Sequence, residues 1–239
     1  MTTALQGQRV LVVGGSSGIG EATAALAAQQ GGAVTIASRS SARCAAALQR
    51  LPAGVLAAPL DVTDDGAVQT FFAAQEPWQH VVLAGSATQT GSVQALALDA
   101  ARAAMDNKFW GAYHLGRHAR IVPGGSLTFV SGVYAQRPNP DAVLQGALNA
   151  ALEALARGLA LALAPAVRVN TVSPSTTATP LWDKLGPAGR AAKLDAMRAH
   201  LPLQRVGEPL DIAEAILFVA CNRFATGTTV LVDGGDALA

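Results

Sequence analysis

Seven residues near the start of the chain, Gly14-Gly15-Ser16-Ser17-Gly18-Ile19-Gly20, follow an apolar run and open an Ala-rich helical stretch. Glycines at 14, 18 and 20 allow a tight turn and a close backbone approach. A helix that begins there presents free N–H groups and the positive end of its dipole. Together these features suit a pyrophosphate, with Ser16, Ser17 and Ile19 in the same turn. A glycine cluster alone reads equally well as an ordinary loop; the strand before it and the helix after it make the dinucleotide reading specific. About twenty residues on, where such sites contact the adenosine ribose, a second apolar run ends in Ala37-Ser38-Arg39-Ser40. An acidic residue there would bind the ribose hydroxyls and select NAD(H). Ser38 beside the Arg39 guanidinium instead suits a 2′-phosphate, so NADP(H) is expected in preference to NAD(H). The bland alternative for Arg39 is a solvated surface arginine. Asp61, followed by Val62, is placed either to meet the adenine edge or to cap the next helix.

The elements that must hold these residues alternate. Strands are expected at Arg9–Val13, Val34–Ser38, Val55–Leu60, His80–Ala84, Ser126–Ser131, Val167–Val172 and Thr229–Val232. Helices are expected at Ile19–Gln30, Ser41–Leu51, near Asp64–Ala74, and at Leu98–Ala119, Val143–Ala164 and Asp211–Ala220. Such alternation predicts an α/β fold: a single doubly wound Rossmann-type domain, with a parallel sheet of about seven strands and helices on both faces. No Pro/Ser-rich linker or repeat divides residues 1–239. A proline-bearing stretch from Ser173 to about Gln204, helical in part over Ala188–His200, reads as a lid-like insertion near 175–204 or as a plain surface excursion.

Bulk composition narrows the function classes. Of 239 residues, 51% are hydrophobic and 14% charged, which argues for a packed core and against disorder. A formal net charge of +1 gives no electrostatic case for nucleic acid or an anionic membrane. Cys44 and Cys221 form neither a disulfide framework nor a CxxC pair, so a reducing, cytoplasmic setting is expected. The run Val10–Val13 is too short for a signal-sequence core. Ala147–Ala166 is the most apolar helical stretch, but Glu153, Arg157 and Pro165 mark it as a buried helix, not a membrane span. His80, His114, His118 and His200 show no metal-ligand spacing with a third partner, and the i, i+4 pair at 114 and 118 reads as ordinary helix-face residues.

From Gln8 to Gly235 the chain resembles the short-chain dehydrogenase/reductase family. The glycine turn resembles the family's Thr-Gly-x-x-x-Gly-x-Gly, with Val13 in the Thr place. Leu60-Asp61-Val62 resembles its adenine-contacting segment, and Val82-Leu83-Ala84-Gly85 its Asn-Asn-Ala-Gly, without the asparagines. Arg168 to Pro174 resembles the sixth strand and Pro-Gly turn, with Ser175 in the Gly place. The resemblance then puts Thr177 and Thr179 at the nicotinamide amide and the phosphates. Gly207-Glu208-Pro209, Asp211-Ile212-Ala213 and Val232-Asp233-Gly234-Gly235 complete it.

The resemblance implies a Tyr proton donor with a Lys four residues later, a Ser before their helix and an Asn on the preceding helix. The Lys cation would lower the Tyr pKa, and the i, i+4 spacing puts both on one helix face. Aligned from both sides, the family positions fall on Gln145 for Tyr, Asn149 for Lys and Gly132 for Ser, with Ser131 one residue earlier. Neither tyrosine, Tyr113 or Tyr134, has a lysine four residues on. Counting back from Gly111 puts Lys108 in the Asn place, with Asn107 one off. One expectation is that Lys and Asn have traded helices, so that Lys108 meets Asn149; the other is a surface or interface Lys108. Gln145 carries no transferable proton at neutral pH. Tyr134, in the loop after the fifth strand, is the best substitute acid, or else a pocket-wall aromatic.

Three functions follow as expectations. One is an NADP(H)-dependent oxidoreductase with a non-standard site, acting on a small carbonyl or alcohol. Another is a catalytically inactive NADP(H)-binding sensor or structural protein. The third is an enzyme that uses the pocket without net redox chemistry. The family's subunit pairing and the Ala/Leu-rich Ala147–Ala164 helix imply a homodimer or homotetramer.

Overall fold

The computed structural model describes residues 4–85 and 89–239. β1 (Arg9–Val13) alternates its side chains between the two sheet faces. Val10 and Val12 point to a layer containing α1 (Gly18–Gln29), while Leu11 and Val13 point to the opposite one. β2 (Ala33–Ser38), α2 (Ser41–Leu48), β3 (Leu56–Pro59), α3 (Asp65–Ala73) and β4 (Trp78–Leu83) follow. α4 (Leu98–Met105) and α5 (Gly111–His118) lead to β5 (Ile121–Val130), α6 (Val143–Leu163) and β6 (Val167–Pro174). α7 (Gly186–His200), α8 (Pro209–Cys221) and β7 (Thr229–Val232) complete the chain.

The seven strands form one sheet in the order β3-β2-β1-β4-β5-β6-β7, every neighbour parallel. Side chains from α1, α2 and α8 build one core layer; those from α3, α5 and α6 build the other around Phe72, Trp78 and Phe129. The order in which strands are added reverses between β1 and β4, with β2 and β3 on one side and β4 to β7 on the other, and ligands bind such a switch point at the strand C-termini.

Several boundaries differ from expectation, each for a local reason. Residues 98–119 are not one helix. A wide π turn, Asp106–Trp110, separates α4 from α5, and the Gly111 N–H closes it on the Asp106 carbonyl. α5 then packs closely on Val62, whose Cγ2 would lie 2.7 Å from a Cβ at Gly111. β5 begins at Ile121, not Ser126, because Ile121 pairs with Trp78 across a register shift that the intervening Pro123, Gly124 and Gly125 accommodate. After β6 the long segment is ordered into a 3-10 turn, Pro180–Leu185, and α7. α6 is long and apolar enough to cross a membrane by composition, yet Leu148, Leu152, Ala156 and Ala160 are buried within the protein.

Candidate functional site

The glycine turn shapes the start of the site. Gly14 has φ +84°, and a Cβ there would lie 2.2 Å from the Gly85 backbone nitrogen. At Gly20 a Cβ would lie 2.2 Å from the Gly14 carbonyl oxygen, so α1 can lie against the turn only without one. Ser17 precedes α1 without capping it through its side chain. The first helical N–H groups therefore remain available to an anion.

The turn opens onto a cavity of about 890 Å³ at the switch point. Gly14, Ser16, Ser17, Gly18 and Ile19 line one stretch of it. Ser38 and Arg39 line the end of the cavity beyond β2, with Val62 beside them, and Ala84 and Gly85 lie beyond β4. Pro174, Thr177 and Thr179 close the far side. Asp61 is the exception. It does not line the cavity, and its Oδ1 accepts the Thr63 N–H at 3.0 Å and hydroxyl at 2.8 Å. It is not the helix cap either: Asp64 caps α3, accepting from the Ala67 N–H at 3.0 Å. Arg43, which the sequence reading missed, lines the cavity with Arg39. Both guanidiniums are exposed, and neither forms an ion pair among the described residues. The signal was its place one helical turn beyond Arg39, in the first turn of α2.

At the other end, α6 presents Gln145, Asn149 and Glu153 on one face by their i, i+4, i+8 spacing, and all three are buried. Lys108 projects from the π turn and is 8% exposed. Its ammonium donates to Asn149 Oδ1 at 2.5 Å and to the Ser131 carbonyl at 2.9 Å. The Ser131 hydroxyl donates to Glu153 Oε1 at 2.8 Å. Burial pushes the Lys108 ammonium down to about 8, against the pull of the Glu153 carboxylate. Lys108, Ser131, Gln145, Asn149 and Tyr134 all line the cavity, as does half-buried Asn107. Sequence reasoning used Glu153 as a register marker and as a mark against a membrane span, not as a site residue; its i+4 spacing from Asn149 was the missed signal.

Three further details bear on proton chemistry. A Cβ at Gly132 would lie 2.8 Å from Asn149 Nδ2, so Gly132 and the Lys108–Asn149 pair are sterically linked. Burial and the nearby Asp236 carboxylate push the Tyr134 phenol above its ordinary 10, which makes it a poorer acid near neutrality. Both ends of the Gln145 amide lack a hydrogen-bond partner among the described residues.

The segment after β6 walls the cavity through Leu181, Trp182, Leu185 and Lys193. Its last residue in α7, His200, lies 3.4 Å from buried Asp236, which also meets Arg137 at 3.4 Å and accepts from the Ser175 hydroxyl. The other histidines have structural partners. His80 bonds Ser126 and Gln8, each at 2.8 Å. His114 bonds the Val62 carbonyl at 2.9 Å, and His118 bonds Asp65 at 2.8 Å.

A parallel seven-stranded sheet with a glycine turn beside its switch-point cavity defines a Rossmann-type protein. A family model described as enoyl-(acyl carrier protein) reductase matches residues 13–236. A short-chain dehydrogenase/reductase of Stachybotrys chlorohalonatus is 32% identical, over 98% of this chain and 98% of its own. A small-chain dehydrogenase solved in complex with NADPH is 32% identical, with a TM-score of 0.82 over 98% of this chain and 100% of that one. An NADPH-bound short-chain oxidoreductase of Pseudomonas aeruginosa PAO1, described as containing an atypical catalytic centre, is 27% identical. It aligns with a TM-score of 0.87 over 97% of this chain and 98% of that one. The chain belongs to the short-chain dehydrogenase/reductase family, whose members are oxidoreductases that use a nicotinamide cofactor on small-molecule substrates.

Proposed function

We propose that the protein is an NADP(H)-dependent oxidoreductase that interconverts a small carbonyl compound and its alcohol, with Lys108 in place of a tyrosine as the proton-holding group. The observation that carries this reading is the buried Lys108–Asn149 pair at the cavity wall. Two of the ammonium's three N–H groups are held by Asn149 Oδ1 and the Ser131 carbonyl, which leaves the third for a substrate oxygen. A group that titrates near 8 can give and retake a proton around neutral pH. Bound nicotinamide supplies or accepts the hydride. In the reductive direction Lys108 gives its proton to the carbonyl oxygen as the carbon takes the hydride, and in oxidation it takes the proton back. Glu153 stays beside the ammonium and favours its charged form.

Preference for NADP(H) over NAD(H) rests on Arg39 and Arg43 beside Ser38 at the adenosine end of the cavity. Two exposed cations next to a small hydroxyl suit a 2′-phosphate and have little to offer a bare ribose hydroxyl. The two NADPH-bound relatives accord with this choice. A homodimer or homotetramer would cover exposed Trp110 and Tyr113 on the π turn and α5, and Leu161 on α6.

The second reading, a catalytically inactive NADP(H)-binding sensor or structural protein, is favoured by Gln145, which has no transferable proton. Fluorescence titration with NADPH, followed by NADPH consumption over a panel of carbonyls and quinones, separates the two. Saturable binding with turnover is expected, and Lys108→Met should keep the binding while lowering turnover about 100-fold or more, the usual weight of one acid–base group. Binding without turnover on any substrate selects the sensor. Full turnover in Lys108→Met removes Lys108 as the acid.

A further inference from the structure

Gln145 is 7% exposed, lines the cavity, and has neither Oε1 nor Nε2 partnered among the described residues. A buried amide with no partner in the surrounding protein is energetically unfavourable unless a molecule in the cavity pairs with it. It stands one helical turn before Asn149, the residue that holds Lys108. On the reading that Lys108 is the proton donor, we infer that Gln145 is a specificity-determining residue that selects neutral hydroxy-carbonyl substrates, in which a hydroxyl sits beside the reacting C=O.

Matching hydrogen bonds leads to this class. Nε2 needs an acceptor and Oε1 needs a donor, and one ligand edge must offer both. A carboxylate only accepts, and an ammonium only donates. A plain ketone satisfies Nε2 and leaves Oε1 unmet. An amide offers both groups, but its carbon resists hydride. A hydroxy ketone gives its carbonyl oxygen to Nε2 and its O–H to Oε1, and the reduced diol still offers both functions. Val133, Ala142, Leu181 and Leu185 line the same cavity and favour an apolar body behind that polar edge.

The test is calorimetric and needs no turnover. NADP+-loaded protein is titrated with 2-hydroxy-2-methylpropiophenone and with isobutyrophenone, which differ by one hydroxyl. The tertiary alcohol cannot be oxidised, so binding is read alone. The hydroxy ketone is expected to bind at least about tenfold tighter, the scale set by leaving one buried acceptor unmet. In Gln145→Leu the ratio should collapse to within about twofold, while the ligand-free variant melts at a higher temperature because two unmet polar groups are gone. Gln145→Met provides a second apolar variant with the same expected collapse. Equal binding of the two ketones to the parent protein, or a preference that survives in both variants, overturns the inference. If the cofactor itself fails to bind, the reading on which the inference rests fails, and the inference with it. If the cofactor binds and the ketones bind alike, this inference alone fails.

Discussion

Replacing Lys108 with Met exposes the energetics of the buried cation. Its titration falls from 10.5 to about 8 because burial penalises the charge. At about 1.4 kcal/mol per pH unit, the protonated form at neutral pH therefore carries a penalty of about 3 kcal/mol relative to an exposed lysine. The sign follows from the depressed folded value. The unfolded chain holds this proton up to 10.5, whereas the folded protein releases it from about 8. Stability attributable to Lys108 is thus complete above 10.5 and is lost as pH falls to about 8. Below that it is flat. Other groups titrate in the same window, so the measurement is a difference: denaturant unfolding of parent and Lys108→Met from pH 7 to pH 11. The parent should gain about 3 kcal/mol on the variant as pH rises through the window. At neutral pH the variant escapes the charge penalty but leaves Asn149 Oδ1 and the Ser131 carbonyl without their donor, at about 1–3 kcal/mol each. These effects offset, so the variant should remain folded. Reductive turnover of the parent should decline above about pH 8, as the ammonium is lost. Stability curves that stay parallel across the window would refute the argument, since they would mean that folding does not perturb Lys108.

Two further outcomes are expected. Arg39→Ala and Arg43→Ala should each weaken NADPH about tenfold, in line with loss of a charge-assisted bond, and leave NADH within about twofold; equal losses for both cofactors in a fluorescence titration would remove the 2′-phosphate role. His80 is held neutral by burial, with Arg168 also disfavouring its charge, and its pKa falls from 6.5 to about 4. The folded protein should therefore lose up to about 3 kcal/mol from this group as pH drops from 6.5 towards 4, and His80→Gln should flatten that part of the acid limb; an identical limb in the variant would show that His80 does not contribute.

The strands and their order of appearance were legible because each is a short apolar run bounded by turn residues, as in Arg9–Val13 before Gly14. The glycine turn was legible because backbone geometry there forces residue type: no Cβ fits at Gly14. What stayed hidden depends on register and tertiary contact. The start of β5 was obscured because Pro123, Gly124 and Gly125 break the apolar run, and only the pairing of Ile121 with Trp78 shows that the strand spans them. Counting from Gly111 pointed to Lys108, but only its bonds to Asn149 and Ser131 show how it is held. Glu153 was passed over as a site residue because a charged residue on a helix is usually solvated, and Arg43 because only the fold shows that the first turn of α2 borders the cavity.

The π turn at Asp106–Trp110 has a consequence for how such a site can change. A π turn accommodates one residue more than an α turn, so the surplus is absorbed locally and the helices on either side keep their faces. Ala104 stays buried before it and Gly111 stays against Val62 after it, while the side chains between them are rotated relative to an unbroken helix. Losing a single residue within those five would therefore exchange the side chain offered to the cavity without repacking either flank. The turn lets the chemistry of this wall vary independently of the stability of the domain around it.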